Sequence, residues 1–129
     1  MLAHILIIED NEMSLALAEH LLRQSGYITT SATDGESGVR IALENQAHLI
    51  LCDLDLPGID GSQIVTTLRA HTHWHKVPIL AFTAASVSAE CQRALTANFD
   101  GCIPKPIDPT SFLAAVSRYL APDLRASHG

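Results

Sequence analysis

The hydrophobic positions of this chain fall into five short runs, separated by longer stretches in which apolar and polar residues are mixed. Three of the runs are almost continuously apolar, as is typical of buried strands in a parallel sheet. Of the other two, one is rich in Thr and Ile, and the other has only three residues. The predicted strands cover residues 4–8, 27–31, 49–52, 77–82 and 102–104.

Apolar residues recur at helical spacing in the stretches between these runs. The last stretch has the clearest start, because Asp108 can cap a helix whose first turn contains Pro109. In the first stretch, Asn11 can cap a helix that ends at Gly26. Three of the five predicted helices begin after Asn11, at Asp34-Gly35 and after Asp108. Another includes residues 64–68, and a weak one covers residues 87–95.

Strand and helix alternate five times, which predicts an α/β protein with one doubly wound parallel sheet and helices on both faces. Pro104 restricts the strand order, because a proline cannot donate a hydrogen bond to the ladder and therefore favours an edge strand. The order 2-1-3-4-5 places the fifth strand at an edge. We expect one domain over residues 1–121, followed by a short polar tail over residues 122–129 that is expected to fray.

The composition excludes several classes of protein. The chain has 129 residues, 47% of them hydrophobic, which suits one globular core. A net charge of −6 argues against binding to a nucleic acid backbone, and no apolar run approaches the length of a membrane span. The cysteines Cys52, Cys91 and Cys102 are odd in number and lack metal-ligand spacing, so we expect buried thiols in a reducing compartment. These features predict a cytoplasmic domain.

Polar side chains with complementary chemistry follow four of the predicted strands. Glu9 and Asp10 follow the first strand, Asp53 the third, Thr83 the fourth and Lys105 the fifth. In a parallel sheet these carboxyl ends meet at one edge, where open α/β sheets bind their ligands. Three carboxylates brought together repel each other, and a hard divalent cation such as Mg²⁺ is the usual counter-ion. Because Lys105 and Thr83 add a cation and a hydroxyl for a phosphoryl group, the set predicts an aspartyl-phosphate site at Asp53.

These residues resemble a known family, the receiver domains of the response regulators of two-component systems. Its motifs are matched in order and spacing by Glu9-Asp10, by Asp53 with the following Leu-Pro-Gly, by Thr83-Ala84 and by Lys105-Pro106. The similarity covers about residues 3–120, and residues 99–107 look most like single-domain regulators of the cell-cycle type and the receivers of hybrid kinases. The resemblance implies a flavodoxin-like fold with strand order 2-1-3-4-5 and five helices, and a function in phosphorelay signalling.

The resemblance also implies a role for each matched residue. Asp53 would take a phosphoryl group from a phosphohistidine of a sensor histidine kinase or a histidine phosphotransfer protein. The chain would then signal to an unknown downstream protein by changed protein–protein contact, without being an enzyme beyond its own phosphorylation and dephosphorylation. The implied Mg²⁺ ligands are Asp10, Asp53 and the main-chain carbonyl of Asp55, with Glu9 acting through a water. The implied phosphoryl contacts are Thr83, Lys105 and the N–H of Ala84, beside a cis Lys105–Pro106 bond.

Two alternative functions use the same residues. Asp53 and Asp55 also match the Asp-x-Asp start of the haloacid-dehalogenase phosphatases, which place the pair on the first strand of a longer domain. Those proteins usually follow the pair with Thr or Val, where this chain has Leu56. The second alternative is a degenerate receiver that acts as a constitutive interaction module, and the complete set of site residues argues against it.

The sequence departs from the family pattern at two positions. Glu9 stands where the family often has an aspartate, and its longer side chain is expected to change the metal affinity. Cys102 stands three positions before Lys105, where many members have an aromatic ring that moves together with the threonine. Because a cysteine side chain is too small to move in the same way, we expect the fifth strand and the last helix to respond weakly to phosphorylation.

Overall fold

The computed structural model describes residues 3–44, 47–54, 56, 58, 61–71, 77–83 and 98–124. Within them the strands are β1 (His4–Ile8), β2 (Ile28–Ala32), β3 (Leu49–Asp53), β4 (Ile79–Thr83) and β5 (Gly101–Pro104). The helices are α1 (Glu12–Gln24), α2 (Gly35–Glu44), α3 (Gly61–Arg69) and α4 (Pro109–Tyr119), followed by a short 3-10 helix at Pro122–Leu124. The predicted helix over residues 87–95 lies outside the described residues.

The five strands form one parallel sheet in the order β2-β1-β3-β4-β5, which confirms the predicted flavodoxin-like topology. β5 occupies one edge of this sheet, and Pro104 is exposed there. The edge position is therefore the one that the missing N–H of this proline requires.

The helix starts follow the predicted capping residues. The side chain of Asn11 accepts a hydrogen bond from the Ser14 N–H at 2.9 Å, at the start of α1. The side chain of Asp108 accepts one from the Ser111 N–H at 2.9 Å, with Pro109 in the first turn of α4. These caps satisfy N–H groups that have no partner within the helix, and they place α1 and α4 directly after strand ends.

The core has two halves, one on each face of the sheet. Successive strand residues alternate between the faces, so that Leu6 and Ile8 pack towards α3 whereas Ile5 and Ile7 pack towards α1 and α4. Gly38 of α2 approaches the first half closely, because a Cβ at this position would lie 2.6 Å from Ile8 Cδ1. The two halves hold the sheet rigidly and leave its carboxyl edge for chemistry.

A charged cluster at the opposite, amino edge is structural. The Asp100 carboxylate accepts hydrogen bonds from Arg69 at 2.7 Å and from the Ile79 N–H at 2.8 Å. The Tyr119 hydroxyl donates to the Asp100 carbonyl at 3.2 Å. These bonds join α3, α4 and the starts of β4 and β5, and thereby fix the two strands that lead to Thr83 and Lys105.

The cysteines match the sequence expectation in part. Cys52 is a fully buried free thiol, whereas Cys102 is disulfide-bonded, contrary to the expectation of thiols throughout. Cys91 lies outside the described residues. A disulfide removes the argument that the cysteines indicate a reducing compartment.

The end of the chain is partly described. The 3-10 helix at Pro122–Leu124 packs through Leu124 on the core face that α1 and α4 cover, so the first part of the predicted polar tail is ordered against the domain. The domain limits of 1–121 and 122–129 stay a prediction. Within the described part of the chain, each helix is too short or too polar to cross a membrane.

Candidate functional site

Four side chains predicted to converge do meet at the carboxyl edge of the sheet. The ammonium of Lys105 forms ion pairs with the Glu9 carboxylate and with Asp53 Oδ2, the latter at 3.3 Å. One carboxylate oxygen from each of Glu9, Asp10 and Asp53 lies within 4.8 Å of the others. The structure therefore brings the acidic pair, the strand-end aspartate and the lysine into one cluster.

The backbone ladder extends past the strand ends and orients these residues. The Glu9 N–H donates to the Ala32 carbonyl at 3.0 Å, which keeps Glu9 in line with β1. The Lys105 N–H donates to the Thr83 carbonyl at 2.8 Å, and the Lys105–Pro106 peptide bond is cis, as the resemblance implies. The functional side chains thus follow directly on the hydrogen-bonded strands of the sheet.

Glu9 is fully buried, which makes it the most constrained member of the cluster. Its Oε1 contacts the Lys105 ammonium without a directed hydrogen bond, and its Oε2 accepts a long one of 3.4 Å from the Asn11 N–H. Burial, followed by the neighbouring Asp53 carboxyl, raises the pKa of Glu9 to about 7, although Lys105 opposes the shift. A bound cation would remove most of this penalty.

Lys105 is held in its charged form. Partial burial opposes the charge, but the carboxylates of Glu9 and Asp53 outweigh it and raise the pKa of the lysine above its ordinary value. Its side chain remains 23% exposed. A permanently charged ammonium with an open side can contact an anion that enters the site.

The hydroxyl of Thr83 is weakly bonded, and this residue lies beside the cluster. Thr83 is buried at the end of β4, and among the described residues its hydroxyl donates one long hydrogen bond of 3.5 Å to the Ile103 carbonyl. So weak a bond is easily exchanged for a stronger one to an anion. Asp55 and Ala84 lie outside the described residues, so their predicted contacts stay predictions.

Sequence reasoning missed Phe82, which precedes Thr83 on β4. Its ring lies 5.7 Å from Lys105 Nζ and is 1% exposed. The register pairs Phe82 with Asp53, so its position beside the aspartate could have been inferred from the strand order. The ring's contact with the lysine could not, because it depends on the path of the chain after β5.

The raised pKa of Glu9 predicts how stability depends on pH. A carboxyl group with a higher pKa in the folded state binds its proton more tightly when folded, so stability is greatest below the unfolded pKa and declines as pH rises through the folded one. Without divalent cation, we expect the free energy of unfolding to fall from about pH 4.5 to about pH 7, by up to about 3 kcal/mol.

Urea unfolding in EDTA across this pH range measures the effect. Glu9→Gln should flatten the curve, and saturating Mg²⁺ should flatten it in the wild type. The same slope in the Glu9→Gln variant would mean that other groups cause the dependence.

Comparisons with known proteins agree with this arrangement. Residues 5–117 match the family model described as the response regulator receiver domain. The polar-differentiation response regulator DivK of Brucella anthropi is 29% identical over 116 residues, which cover 90% of this chain and 94% of DivK.

Two solved structures show the same fold. The receiver domain of sensor histidine kinase PA1611 from Pseudomonas aeruginosa, which has a magnesium ion coordinated in its active-site cleft, is 30% identical, with a TM-score of 0.85 and coverage of 92% of this chain and 98% of that one. A putative response regulator from Chloroflexus aurantiacus is 27% identical, with a TM-score of 0.89 and the same coverage. With a family model that spans most of its length, this chain belongs to the response regulator receiver domains.

Proposed function

We propose that Asp53 is the phosphoacceptor of this receiver and that it takes a phosphoryl group from a phosphohistidine. The single observation that supports this most strongly is the placement of its carboxylate, which is 14% exposed and lies between the acidic pair and Lys105. Glu9 is too deeply buried to meet a partner protein, and it is occupied by Lys105. Of the three carboxylates in this described cluster, only Asp53 combines access with an ion pair to Lys105.

The proposed transfer is a displacement at phosphorus. A carboxylate oxygen of Asp53 forms the new O–P bond while the N–P bond of the phosphohistidine breaks. The imidazole nitrogen keeps the electron pair of that bond, and the ring leaves as a neutral group when its other nitrogen carries a proton. Negative charge on the phosphoryl oxygens is then neutralised by Lys105 and by a hydrogen bond from the Thr83 hydroxyl. The N–H of Ala84 is proposed as a further donor.

The residues present fit Mg²⁺ as the cofactor. The acidic cluster offers only oxygen ligands, which Mg²⁺ prefers. Among the described residues Lys105 is the cation in contact with this cluster, and Glu9 and Asp53 share it, so net negative charge remains for a metal ion to neutralise. Asp10 and Asp53 would hold the ion directly, with the Asp55 carbonyl, and Glu9 would act through a water. When bound, the ion supplies positive charge that screens the carboxylates from the incoming phosphoryl group.

The proposed donor is a sensor histidine kinase or a histidine phosphotransfer protein, and the output is changed contact with a downstream protein. On this proposal the chain catalyses only its own phosphorylation and dephosphorylation, within the cytoplasm. No nucleic acid or membrane partner is proposed, and the net charge of −6 argues against binding to a nucleic acid backbone.

A mass measurement tests the proposal. The protein is incubated with Mg²⁺ and either a small acyl phosphate or a phosphorylated phosphotransfer protein, and its intact mass is recorded. One phosphoryl group should be added with Mg²⁺ and none with EDTA, and hydroxylamine should remove it, since an acyl phosphate is cleaved by this nucleophile and a phosphoserine is not. Steady hydrolysis of a phosphomonoester without a phosphorylated protein would favour a phosphatase instead.

The exposed apolar side of α1 is proposed as the surface that receives the donor. Met13 is 84% exposed in the first turn, directly after the acidic pair, and Leu17 is 39% exposed one turn later on the same side. Replacing Met13 with Asp should slow transfer from a phosphotransfer protein that phosphorylates the wild type. The expected factor is about tenfold, because the donor can no longer bury an apolar side chain at this position when it docks.

Transfer from a small acyl phosphate should stay unchanged in the Met13→Asp variant, since this donor needs no docking surface. Leu43→Asp is the matched control, because Leu43 is 46% exposed in the last turn of α2, away from the site. Equal losses with both donors would show that Met13 affects the site itself.

A further inference from the structure

Phe82 stands in the same row of side chains as the acidic site. It is paired in register with Asp53. Leu51 and Leu80, two residues earlier on the same strands, both pack on the face that α1 and α4 cover. Because alternate residues of a strand share a face, the Asp53 carboxylate and the Phe82 ring project side by side at the ends of β3 and β4.

The ring of Phe82 is a third neighbour of the Lys105 ammonium, besides the carboxylates of Glu9 and Asp53. The distance of 5.7 Å from Nζ to the ring centroid lies in the range over which an aromatic face attracts a cation. The ring is 1% exposed, so water screens this attraction less than on an open surface. The ammonium therefore keeps an apolar support that does not depend on the carboxylates.

The same ring touches the last helix. Phe82 and Phe112 stack with their centroids 6.3 Å apart and an angle of 25° between the ring planes. Phe112 is also 1% exposed and lies in the first turn of α4, where its N–H donates to the Asp108 carbonyl at 2.8 Å. Two close-packed rings cannot shift independently, so a movement of Phe82 must be taken up at the start of α4.

We propose that Phe82 is a positioning residue that holds the Lys105 ammonium in the site and, through its stack on Phe112, passes a displacement of that ammonium to the first turn of α4. The inference rests on the proposed contact between Lys105 and the phosphoryl group. When the ammonium turns from the carboxylates towards the phosphoryl oxygens, its contact with the ring changes. The ring and its stacking partner then readjust together.

The path from Phe82 to α4 differs from the movement of threonine and aromatic ring that many receivers use. The expectation of a weak response in the last helix followed from the absence of an aromatic at Cys102. The Phe82–Phe112 stack reaches the same helix from β4 instead of β5. The two views predict different behaviour of α4, so one experiment can decide between them.

Graded fluorination of the Phe82 ring tests the positioning role. Fluorine weakens the negative face of the ring and changes its size little, so a series of phenylalanines with increasing fluorine content at residue 82 lowers the attraction between the ring and the ammonium step by step. With a small acyl phosphate and saturating Mg²⁺, the phosphorylation rate should fall stepwise, by about threefold to tenfold for the full series. Mg²⁺ affinity should stay constant, because Phe82 is not a ligand.

The control for this series is the same fluorination at Phe99, which is 4% exposed in the core on the other face of the sheet. A structural role for the ring would give no grading with fluorine content. A rate that is independent of fluorine at residue 82, or an equal grading at residue 99, overturns the positioning role.

The coupling to α4 is tested by backbone NMR with beryllofluoride and Mg²⁺ as the phosphoryl mimic. In the wild type we expect shifts at Thr83 and along α4, and in Phe82→Leu and Phe112→Leu the α4 shifts should shrink while the Thr83 shift persists. Phe99→Leu should resemble the wild type. A wild type that shifts at Thr83 but not along α4, or equal α4 shifts in all variants, overturns the coupling. No shift at any site residue means that the proposed function fails, and this inference with it.

Discussion

Replacing Asp53 with Asn is expected to abolish the phosphorylated species completely, with Mg²⁺ and with either kind of donor. The amide has the shape of the carboxylate but is no nucleophile towards phosphorus. It also removes one of three crowded negative charges, so the affinity for Mg²⁺ should fall about tenfold or more. Intact mass and a Mg²⁺ titration measure the two effects.

The same variant should be no less stable than the wild type in EDTA. The Asp53 carboxyl is among the causes that raise the pKa of Glu9, so its neutralisation lowers that pKa and weakens the pH dependence described above. Asp108→Asn is the matched control, because Asp108 is an exposed helix cap and Asn caps equally well. A phosphorylated Asp53→Asn protein would mean that another residue is the acceptor.

Local signals in the sequence predicted most of the fold. Continuous apolar runs gave strands within two residues of their observed bounds, and Asn11 and Asp108 marked the starts of α1 and α4. The edge position of β5 followed from Pro104, whose missing N–H is a purely local property. These features depend on a few neighbouring residues, so the sequence is sufficient to read them.

The electrostatics of the site depended on tertiary contacts and could not be predicted. The position of Glu9 at the end of the first strand was predicted, but its complete burial against Lys105 was not. Its raised pKa follows from burial first, which no spacing along the chain reveals. In the same way the contact of Phe82 with Lys105 depends on how the chain folds back after β5.

Removal of Lys105 is expected to have the second largest effect, on chemistry and on stability. Without its ammonium, Lys105→Ala loses the cation that neutralises the phosphoryl oxygens, so the phosphorylation rate should fall about 100-fold. The fold is also affected, because Glu9 and Asp53 lose the ion pairs that partly compensate their charges. Lys105→Met is the companion variant, since it keeps most of the apolar stem that packs beside Phe82.

The stability loss in Lys105→Ala should depend on pH in a definite direction. Lys105 lowers the pKa of Glu9, so its removal moves that pKa further above about 7 and favours the protonated carboxyl. At about pH 8, where Glu9 loses its proton, we expect the free energy of unfolding to fall by about 1–2 kcal/mol. The effect is smaller than for a fully buried ion pair because the lysine is partly exposed. At about pH 5 Glu9 is protonated in both proteins, and the difference in unfolding free energy should shrink to the small contribution of the Lys105–Asp53 ion pair.

Urea unfolding of the wild type and both lysine variants in EDTA, at the two pH values, measures this difference. Arg40→Ala removes a cation from the exposed side of α2 and controls for the change in net charge. A loss that is equal at both pH values would assign Lys105 a packing role, because only a partner whose charge changes between them can produce the difference. A loss confined to the higher pH, and shared by Lys105→Met, would identify the buried Glu9 carboxylate as the group that the lysine stabilises.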